Sequence, residues 1–411
     1  MIKNINFLLL CFFCIASITP IVSASIPVYV LPVVYILWFV TAAICGKFVM
    51  NSKITVLALV GLTICWAYKI LGISSAELGN YFFTTVFYTM PICMLYVDKN
   101  YTCKQKKILS ILIIIVFFLS LLSNIVFFNN IGNYTDWSYT AAQKDSEIVK
   151  TFNLGDTSFT VASMVFAGAL TILTLLGKKI WRAVFLVGLI TALYYNLVCA
   201  GRASVVLLLA IMEVCLLLVY LNKGFYLKRA LAIILPSVLF LFILGGPLFH
   251  YFGDVFGNDR LAVRMHALGV FFEGGNTANE ETLGRGELSF LSIHTWLRDS
   301  ITFLFGIGDH RYEAGFIEQV YTIGIGGHSS FFDTLARYGI IGFSIWFGLF
   351  VNIFKYMKHI VKERIVGDML YVACMVAFAR SFMGGVFHAP FAVMTFLLLP
   401  FSVTLLNRES K

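Results

Sequence analysis

The chain has 411 residues, of which 60% are hydrophobic and only 12% are charged. A soluble domain cannot bury so large an apolar share, so the composition excludes an ordinary soluble enzyme and indicates that a lipid bilayer is the solvent. The formal net charge of +9 would also suit a nucleic-acid-binding protein, but the lysines and arginines lie in short clusters between apolar runs. This placement indicates membrane topology signals and no nucleic-acid partner.

About twelve apolar runs are long enough to cross a bilayer. They lie at 5–23, 28–45, 54–71, 81–97, 108–128, 158–177, 181–199, 203–221, 229–249, 333–355, 366–386 and 389–407. The sequence therefore predicts an all-α polytopic integral membrane protein with about twelve transmembrane helices. The first run also resembles a signal peptide with a cut after Ala24, but a second apolar run follows almost at once and favours an uncleaved span.

Positive charge alternates between the connectors of these runs. The basic connectors contain Lys3, Lys47, Lys53, Lys178, Lys179 and the stretches "DKNYTCKQKK", "NKGFYLKR", "KYMKHIVKER" and "NRESK". The connectors between them are almost free of lysine and arginine. The positive-inside rule places the basic connectors, and with them both chain termini, in the cytoplasm.

This topology divides the chain into three predicted parts. Residues 1–249 would form helices 1–9, with an outer loop at 129–157. Residues 250–330 would form one large outer loop, and residues 331–411 would form helices 10–12. A loop of about 80 residues in a compact membrane protein is usually functional.

The large loop contains a helical pattern in "GELSFLSIHTWLRDSITFLFGIG". Its apolar residues recur at helical spacing. They are Leu288, Leu291, Trp296, Leu297, Ile301 and Leu304. The pattern predicts an amphipathic helix, which either lies on the membrane surface or packs on its own loop.

His328 is the candidate for acid–base chemistry. It stands in "GGHSSFFDTLARYGIIGF", where Ser330 and Asp333 form a capping-box-like pattern ahead of an apolar run. His328 would then lie just before a helix N-terminus, whose partial positive charge favours the neutral imidazole that a general base needs. The alternative is a structural histidine without a catalytic role.

Three arginines are candidates for binding an anion. Arg202 lies in "CAGRASVVLLL" between two spans, and Arg380 lies within or at the outer end of another span. Arg285 stands between two glycines in "LGRGELSF", where backbone can approach a ligand closely. Arginine in a membrane helix is costly, so Arg202 and Arg380 either reach lipid phosphates at the interface or form a fork around the phosphate oxygens of a ligand.

Other chemistries have no signal in the sequence. There is no DxD pattern, Walker loop or GxSxG elbow, and the loop histidines are too dispersed for a zinc spacing. The nine cysteines are scattered through apolar segments and a basic connector, which predicts no disulfide framework. We therefore expect no metal and no cofactor. Glu213 and Lys69 are mid-membrane charges that could form a buried pair or part of a proton path.

Three stretches together resemble the O-antigen polymerase and O-antigen ligase superfamily of bacterial envelope glycosyltransferases. They are "CAGRASVVLLL", "GRGELSF…FLFGIGDH" and "GGHSSFFDTLARYGIIGF". The last is the most specific, because these proteins show a histidine, a small polar residue and then an apolar helix with a Gly-apolar-apolar-Gly end. Ser329 stands where many members have asparagine. The resemblance covers the second half of the chain.

The resemblance implies a GT-C-like fold in the bacterial inner membrane, with an active site that faces the periplasm. It implies metal-independent, inverting transfer of a glycan from undecaprenyl pyrophosphate to an acceptor hydroxyl. Arg202 and Arg285 match the arginines that hold the pyrophosphate, and His328 matches the histidine that activates the acceptor. Arg380 joins them from its position alone.

A polymerase, which extends a glycan on another lipid-linked repeat unit, is favoured over a ligase that transfers the polymer to lipid A core. A flippase or transporter of lipid-linked sugars is the rival from another class. The expected partners are the undecaprenyl-pyrophosphate-linked oligosaccharide, membrane lipids and a chain-length regulator protein.

Overall fold

The structure is a computed structural model that describes twelve stretches of the chain. They are residues 2–27, 29–73, 78–131, 157–200, 203–226, 244–255, 262, 265–266, 269–270, 280–308, 324–327 and 329–406. Nearly all of these residues are helical, and no β-strand occurs among them. The sequence prediction of an all-α protein is confirmed for this part of the chain.

The helices are numbered in chain order. They are α1 (Ile2–Ile18), α2 (Pro20–Ser25), α3 (Val30–Cys45), α4 (Lys53–Ile70), α5 (Leu78–Asn100), α6 (Cys103–Ile131), α7 (Thr157–Leu176), α8 (Lys179–Tyr194), α9 (Ala203–Leu221), α10 (Glu280–Trp296), α11 (Ser300–Phe305), α12 (Ser330–His359), α13 (Arg364–Met383), α14 (Ala389–Val393) and α15 (Leu399–Ser402). A π-helical turn, Tyr195–Ala200, extends α8, and another, Met394–Leu398, joins α14 to α15.

Eight helical segments of the described residues are long and apolar enough to cross a membrane: α4, α6, α7, α8, α9, α12, α13 and the continuous segment Ala389–Leu406. The predicted runs 5–23 and 28–45 correspond to the shorter apolar helices α1 and α3. The run 81–97 lies in α5, which contains Pro91. The run 229–249 falls largely outside the described residues, although its last residues, from 244 on, are helical. The protein is therefore a polytopic membrane protein.

The centre of the bundle is formed by α7 and the segment Ala389–Leu406, each of which has 83% of its span buried. Small residues on α7 allow neighbouring helices to approach closely. A Cβ atom on Gly168 would lie 2.7 Å from the sulfur of Met212 on α9. By contrast, only about a third of the residues of α4, α8 and α9 are buried, so their remaining apolar side chains face lipid.

Asp98 joins two of the basic connectors at one end of the bundle. It accepts a hydrogen bond from the Lys106 ammonium at 2.7 Å and one from the Tyr356 hydroxyl at 2.5 Å. Nearby, the side chain of Asn100 hydrogen-bonds the backbone of Lys47 in both directions. The connectors after α3, α5 and α12 therefore lie at the same end.

Asp368, near the start of α13, brings a further basic connector to this end. It is fully buried, and its carboxylate lies 3.3 Å from the Lys358 ammonium and 3.7 Å from Nε of Arg364. It also accepts a hydrogen bond from the amide of Phe225, in the connector after α9, at 2.9 Å. Connectors that the positive-inside rule assigns to one side thus share one end of the bundle, which we call the basic end.

The opposite end of the bundle is where α4 and α13 end and α12 begins. The 20 residues of α13 correspond to about 30 Å, the thickness of the hydrocarbon core of a bilayer. At this end, α4 closes with a Schellman turn in which Ile73 N donates to Tyr68 O at 2.9 Å and Gly72 has φ +69°. The segments that contain α10 and α11 pack here.

The helical pattern between Leu288 and Leu304 is interrupted in the structure. It forms α10 and α11, which are separated at 297–299, where Asp299 caps α11 by accepting hydrogen bonds from the amide and hydroxyl of Thr302. These bonds hold the pKa of Asp299 below its ordinary value. The prediction of a single continuous amphipathic helix was therefore wrong, because Asp299 caps the start of a second, separate helix.

The buried and exposed faces of α10 also differ from a simple amphipathic pattern. Ser292 and Thr295 are fully buried, whereas Phe290 is 67% exposed. Apolar side chains of Leu297 and Ile301 are exposed as well. The inner face of α10 is therefore polar, and it packs against the start of α12.

Candidate functional site

Helix α10 holds the residues just before His328 through two buried hydroxyl groups. Thr295 Oγ1 donates to Gly324 O at 2.8 Å and accepts from Gly324 N at 3.0 Å. Ser292 Oγ accepts from Gly326 N at 3.0 Å. A Cβ atom on Gly326 would lie 2.1 Å from Leu288 O, so this close approach requires glycine. The motifs "GRGELSF" and "GGHSSFF" are thus packed backbone to backbone.

Asp333 connects α10 to the residues on either side of His328. Its side chain is 3% exposed. One carboxylate oxygen accepts from Ser292 Oγ at 2.7 Å and from Gly327 N at 3.3 Å, and the other accepts from Ser329 N at 3.2 Å. Three donors from two segments therefore converge on one carboxylate.

The N-cap of α12 is Ser329, not Ser330. Ser329 Oγ accepts from Phe332 N at 3.3 Å, and its backbone is extended. Asp333 still reaches back to the amide of the cap residue, as in a capping box, but from the fourth helical position. The predicted capping pattern was correct in kind and wrong by one residue, because two consecutive serines compete for the cap.

The segment after α13 packs against the same cap. Ser329 Oγ donates to Ser381 O at 3.1 Å, and Ser330 N donates to Gly384 O at 3.2 Å. In return, Val386 N donates to Ser330 Oγ at 3.1 Å. The cap of α12 is therefore held from both sides, by α10 and by residues 381–386.

Arg380 lies beside this junction. Its side chain is 3% exposed, and a Cβ atom on Gly384 would lie 2.2 Å from its Nη1. The guanidinium thus packs on the residue whose carbonyl binds the start of α12. Arg380 therefore lies in the segment that packs against the cap of α12, one residue before Ser381, whose carbonyl accepts a hydrogen bond from Ser329 Oγ.

The other predicted site residues are described in part or not at all. Arg285 lies on α10, of which only the backbone is described at that position. Arg202 and His328 lie outside the described residues. The structure therefore brings together the segments that carry Arg285, His328 and Arg380, while the roles of these side chains stay predictions.

A second junction connects the "FLFGIG" stretch to the first two turns of α12. Ile307 N donates to Ala336 O and Gly308 N donates to Arg337 O, both at 2.9 Å. Helix α12 is interrupted just beyond, at Gly339, which has φ +60° and ψ −170°. The section Ser330–Tyr338 is therefore a short helix of its own, and its last carbonyls are satisfied by the loop.

The glycines of this second junction leave no room for a side chain. A Cβ atom on Gly339 would lie 2.3 Å from Leu304 O, and one on Gly306 would lie 2.3 Å from the carbonyl carbon of Arg337. The hydroxyl of Tyr68, on α4, donates to Phe305 O. Gly306 and Gly339 thus allow the two backbones to pack directly against each other, which joins the loop to the membrane bundle.

Sequence reasoning missed Ser292 as a site residue and assigned Asp333 only to the cap of the following helix. It also did not anticipate that Nδ1 of His250 lies 3.0 Å from Nδ1 of His266. No local signal reveals these contacts, because they join residues far apart in the chain. Among the residues described, no group of three or more His, Cys, Asp or Glu side chains could hold a metal ion.

Glu213 and Lys69 have separate environments, and only Glu213 lies in the middle of its helix; the prediction of a mid-membrane Lys69 was wrong, because Lys69 lies in the last turn of α4. Glu213, on α9, accepts a hydrogen bond from Thr171 Oγ1 at 2.6 Å. The Lys69 ammonium lies 5.5 Å from the centre of the Tyr81 ring, a cation–π contact. Each charge thus has a contact of its own on a neighbouring helix.

No protein-family model matches the chain, and no curated protein is significantly similar to it. The family resemblance therefore rests on the motifs themselves. Two of the three stretches are in contact, since a Cβ atom on Gly326 would lie 2.1 Å from Leu288 O and Ile307 N donates to Ala336 O.

Proposed function

We propose that the protein is an O-antigen (surface polysaccharide) polymerase of the bacterial inner membrane. It would transfer a glycan from undecaprenyl pyrophosphate to the non-reducing-end sugar of another lipid-linked repeat unit. One observation carries the proposal: the segments with Arg285, His328 and Arg380 converge at one end of the bundle, around the cap of α12. This transfer needs anion-binding and proton-accepting residues in one place, and these segments carry the candidates for both roles.

The proposed topology has about twelve spans in a GT-C-like arrangement, both termini in the cytoplasm and the active site facing the periplasm. Two observations support it. Connectors rich in lysine and arginine share the basic end, which the positive-inside rule assigns to the cytoplasm. The cap of α12 lies at the other end of α13, about 30 Å away.

The proposed reaction is a direct displacement at the anomeric carbon. The acceptor hydroxyl forms the new C–O bond as the bond to the pyrophosphate breaks, which inverts the configuration. His328 would take the proton of the hydroxyl and contribute about 10²–10⁴-fold, as a general base does. Arg202, Arg285 and Arg380 would stabilise the negative charge that develops on the undecaprenyl pyrophosphate as it leaves, in place of a divalent cation.

Purified protein in lipid nanodiscs, supplied with undecaprenyl-pyrophosphate-linked repeat units and EDTA, tests this proposal directly. We expect lengthened lipid-linked glycans on a gel and their loss in His328→Ala and Arg285→Ala. Arg202→Lys should also be damaging, because an ammonium cannot make the bidentate contact. Arg298→Ala, a half-exposed arginine of the same loop, is the matched control and should transfer normally. A wild-type protein that needs added magnesium would contradict the scheme.

A deletion strain separates the polymerase from its rivals. Lipopolysaccharide with core and one repeat unit identifies a polymerase. Bare core with accumulated undecaprenyl-linked polymer identifies a ligase, and bare core without such polymer identifies a flippase. The last two results would overturn the polymerase assignment.

A further inference from the structure

Asp333 is placed to do more than cap a helix. Its carboxylate is buried and accepts hydrogen bonds from both residues that flank His328 in the chain, Gly327 and Ser329. The backbone is thereby fixed on each side of the candidate base.

The third donor to this carboxylate comes from the helix that carries Arg285. Ser292 follows Arg285 by seven residues, which is close to two turns of an α-helix, so both positions lie on one face of α10. Ser292 Oγ donates to Asp333 at 2.7 Å and also accepts from Gly326 N. The backbone position of Arg285 is therefore on the same side of α10 as Ser292, the residue that contacts Asp333 and Gly326.

We infer that Asp333 is a positioning residue of the transfer reaction. Its carboxylate sets the separation between the residues that flank His328 and the face of α10 that carries Arg285. A reaction in which a base and a phosphate-binding arginine act on two ends of one transition state depends on that separation, since a displacement of about 1 Å costs about 100-fold in rate. The inference rests on the proposed function.

The test compares kcat and donor KM for Asp333→Asn in the nanodisc assay. The amide of asparagine offers one acceptor oxygen, so an NH₂ group must face a backbone N–H. We expect kcat to fall by about 10- to 100-fold, as for other residues that orient a reacting group, with the donor KM unchanged because the arginines remain. Ser292→Ala removes one of three donors and should lower kcat by about fivefold. Asp333→Glu, which keeps the carboxylate, should retain more activity than Asp333→Asn.

Glu213→Gln is the matched control, since it makes the same carboxylate-to-amide change within the bundle. Glu213 binds Thr171 through one oxygen, and its other oxygen has no partner in the described part of the chain. We expect wild-type kcat. Equal loss of activity in both variants would show general damage and overturn the inference.

The possible outcomes separate this inference from the proposed function. An inactive wild-type protein overturns the proposed function and the inference with it. An active wild type with wild-type kcat in Asp333→Asn overturns the positioning role alone. If Asp333→Asn does not accumulate as folded protein, Ser292→Ala decides, and wild-type kcat in that variant overturns the positioning role.

Discussion

Replacing Gly339 by alanine should separate the loop from the start of α12. Gly339 has φ +60° and ψ −170°, a region that is nearly exclusive to glycine and costs other residues about 1–3 kcal/mol. The added Cβ would also lie 2.3 Å from Leu304 O. The loop backbone and the start of α12 must therefore move apart. This weakens the hydrogen bonds that Ile307 N and Gly308 N donate, each of which contributes about 0.5–1.5 kcal/mol. Together these costs predict a loss of about 2–6 kcal/mol.

Two other glycines supply matched controls for this prediction. Gly72 has φ +69° but no atom within 4 Å of its Cβ position, so Gly72→Ala should cost the backbone strain alone, about 1–2 kcal/mol. Gly348 lies inside α12, where the nearest atom to a Cβ would be 3.7 Å away, on Leu57. Gly348→Ala should be neutral or stabilising by up to about 1 kcal/mol.

The assay is equilibrium unfolding of the wild type and the three purified variants in one detergent, monitored by tryptophan fluorescence. We expect stability to rank Gly339→Ala lowest, then Gly72→Ala, then Gly348→Ala at or above wild type. Equal stability of Gly339→Ala and Gly72→Ala would refute the reasoning, because it would mean that the close approach to Leu304 contributes nothing.

Three further predictions concern the charged groups. Asp368→Asn should lower the free energy of unfolding by about 1–3 kcal/mol, as expected for a hydrogen-bonded buried charge. The kcat of the folded variant should stay at the wild-type value, because Asp368 lies at the basic end and the candidate site lies at the opposite end. A lowered kcat would contradict this. Because hydrogen bonds from Thr302 depress the pKa of Asp299, the cap of α11 should be intact above about pH 4 and be lost as pH falls through the folded pKa. Hydrogen exchange of the amides of residues 301–305, measured at decreasing pH in the wild type and in Asp299→Asn, tests this. Identical pH dependence in the two proteins would contradict it. Glu213→Gln should leave glycan polymerisation in cells unchanged, and a null phenotype would favour a proton-coupled transporter.

Hydropathy predicted the position of the eight candidate spans among the described residues. The predicted runs 158–177 and 366–386 correspond to α7 (Thr157–Leu176) and α13 (Arg364–Met383) within a few residues. Lipid demands apolar side chains over a fixed length, so this property is local in sequence. The alternation of basic connectors was equally informative, because Asp98 and Asp368 gather several of them at one end.

The details of the site depended on contacts that no local pattern contains. The break at Gly339 lies inside a predicted span, and the backbone that packs against it, at Leu304, is 35 residues earlier in the chain. Likewise, the role of Asp333 became visible only with Ser292 beside it, 41 residues away. The sequence predicted the motifs of the site, and tertiary contacts decided how they fit together.

The interruption of α12 at Gly339 also has a consequence for exchanging specificity between related proteins. The section Ser330–Tyr338 is hydrogen-bonded to the loop at both of its ends, through Asp333 and through Ala336. A chimera with a foreign loop that is joined at Ser330 would therefore bring two unmatched surfaces together. We expect a working chimera when the two sequences are joined at Gly339, nine residues beyond the start of the helix. The transplanted segment then includes Ser330–Tyr338 together with the foreign loop.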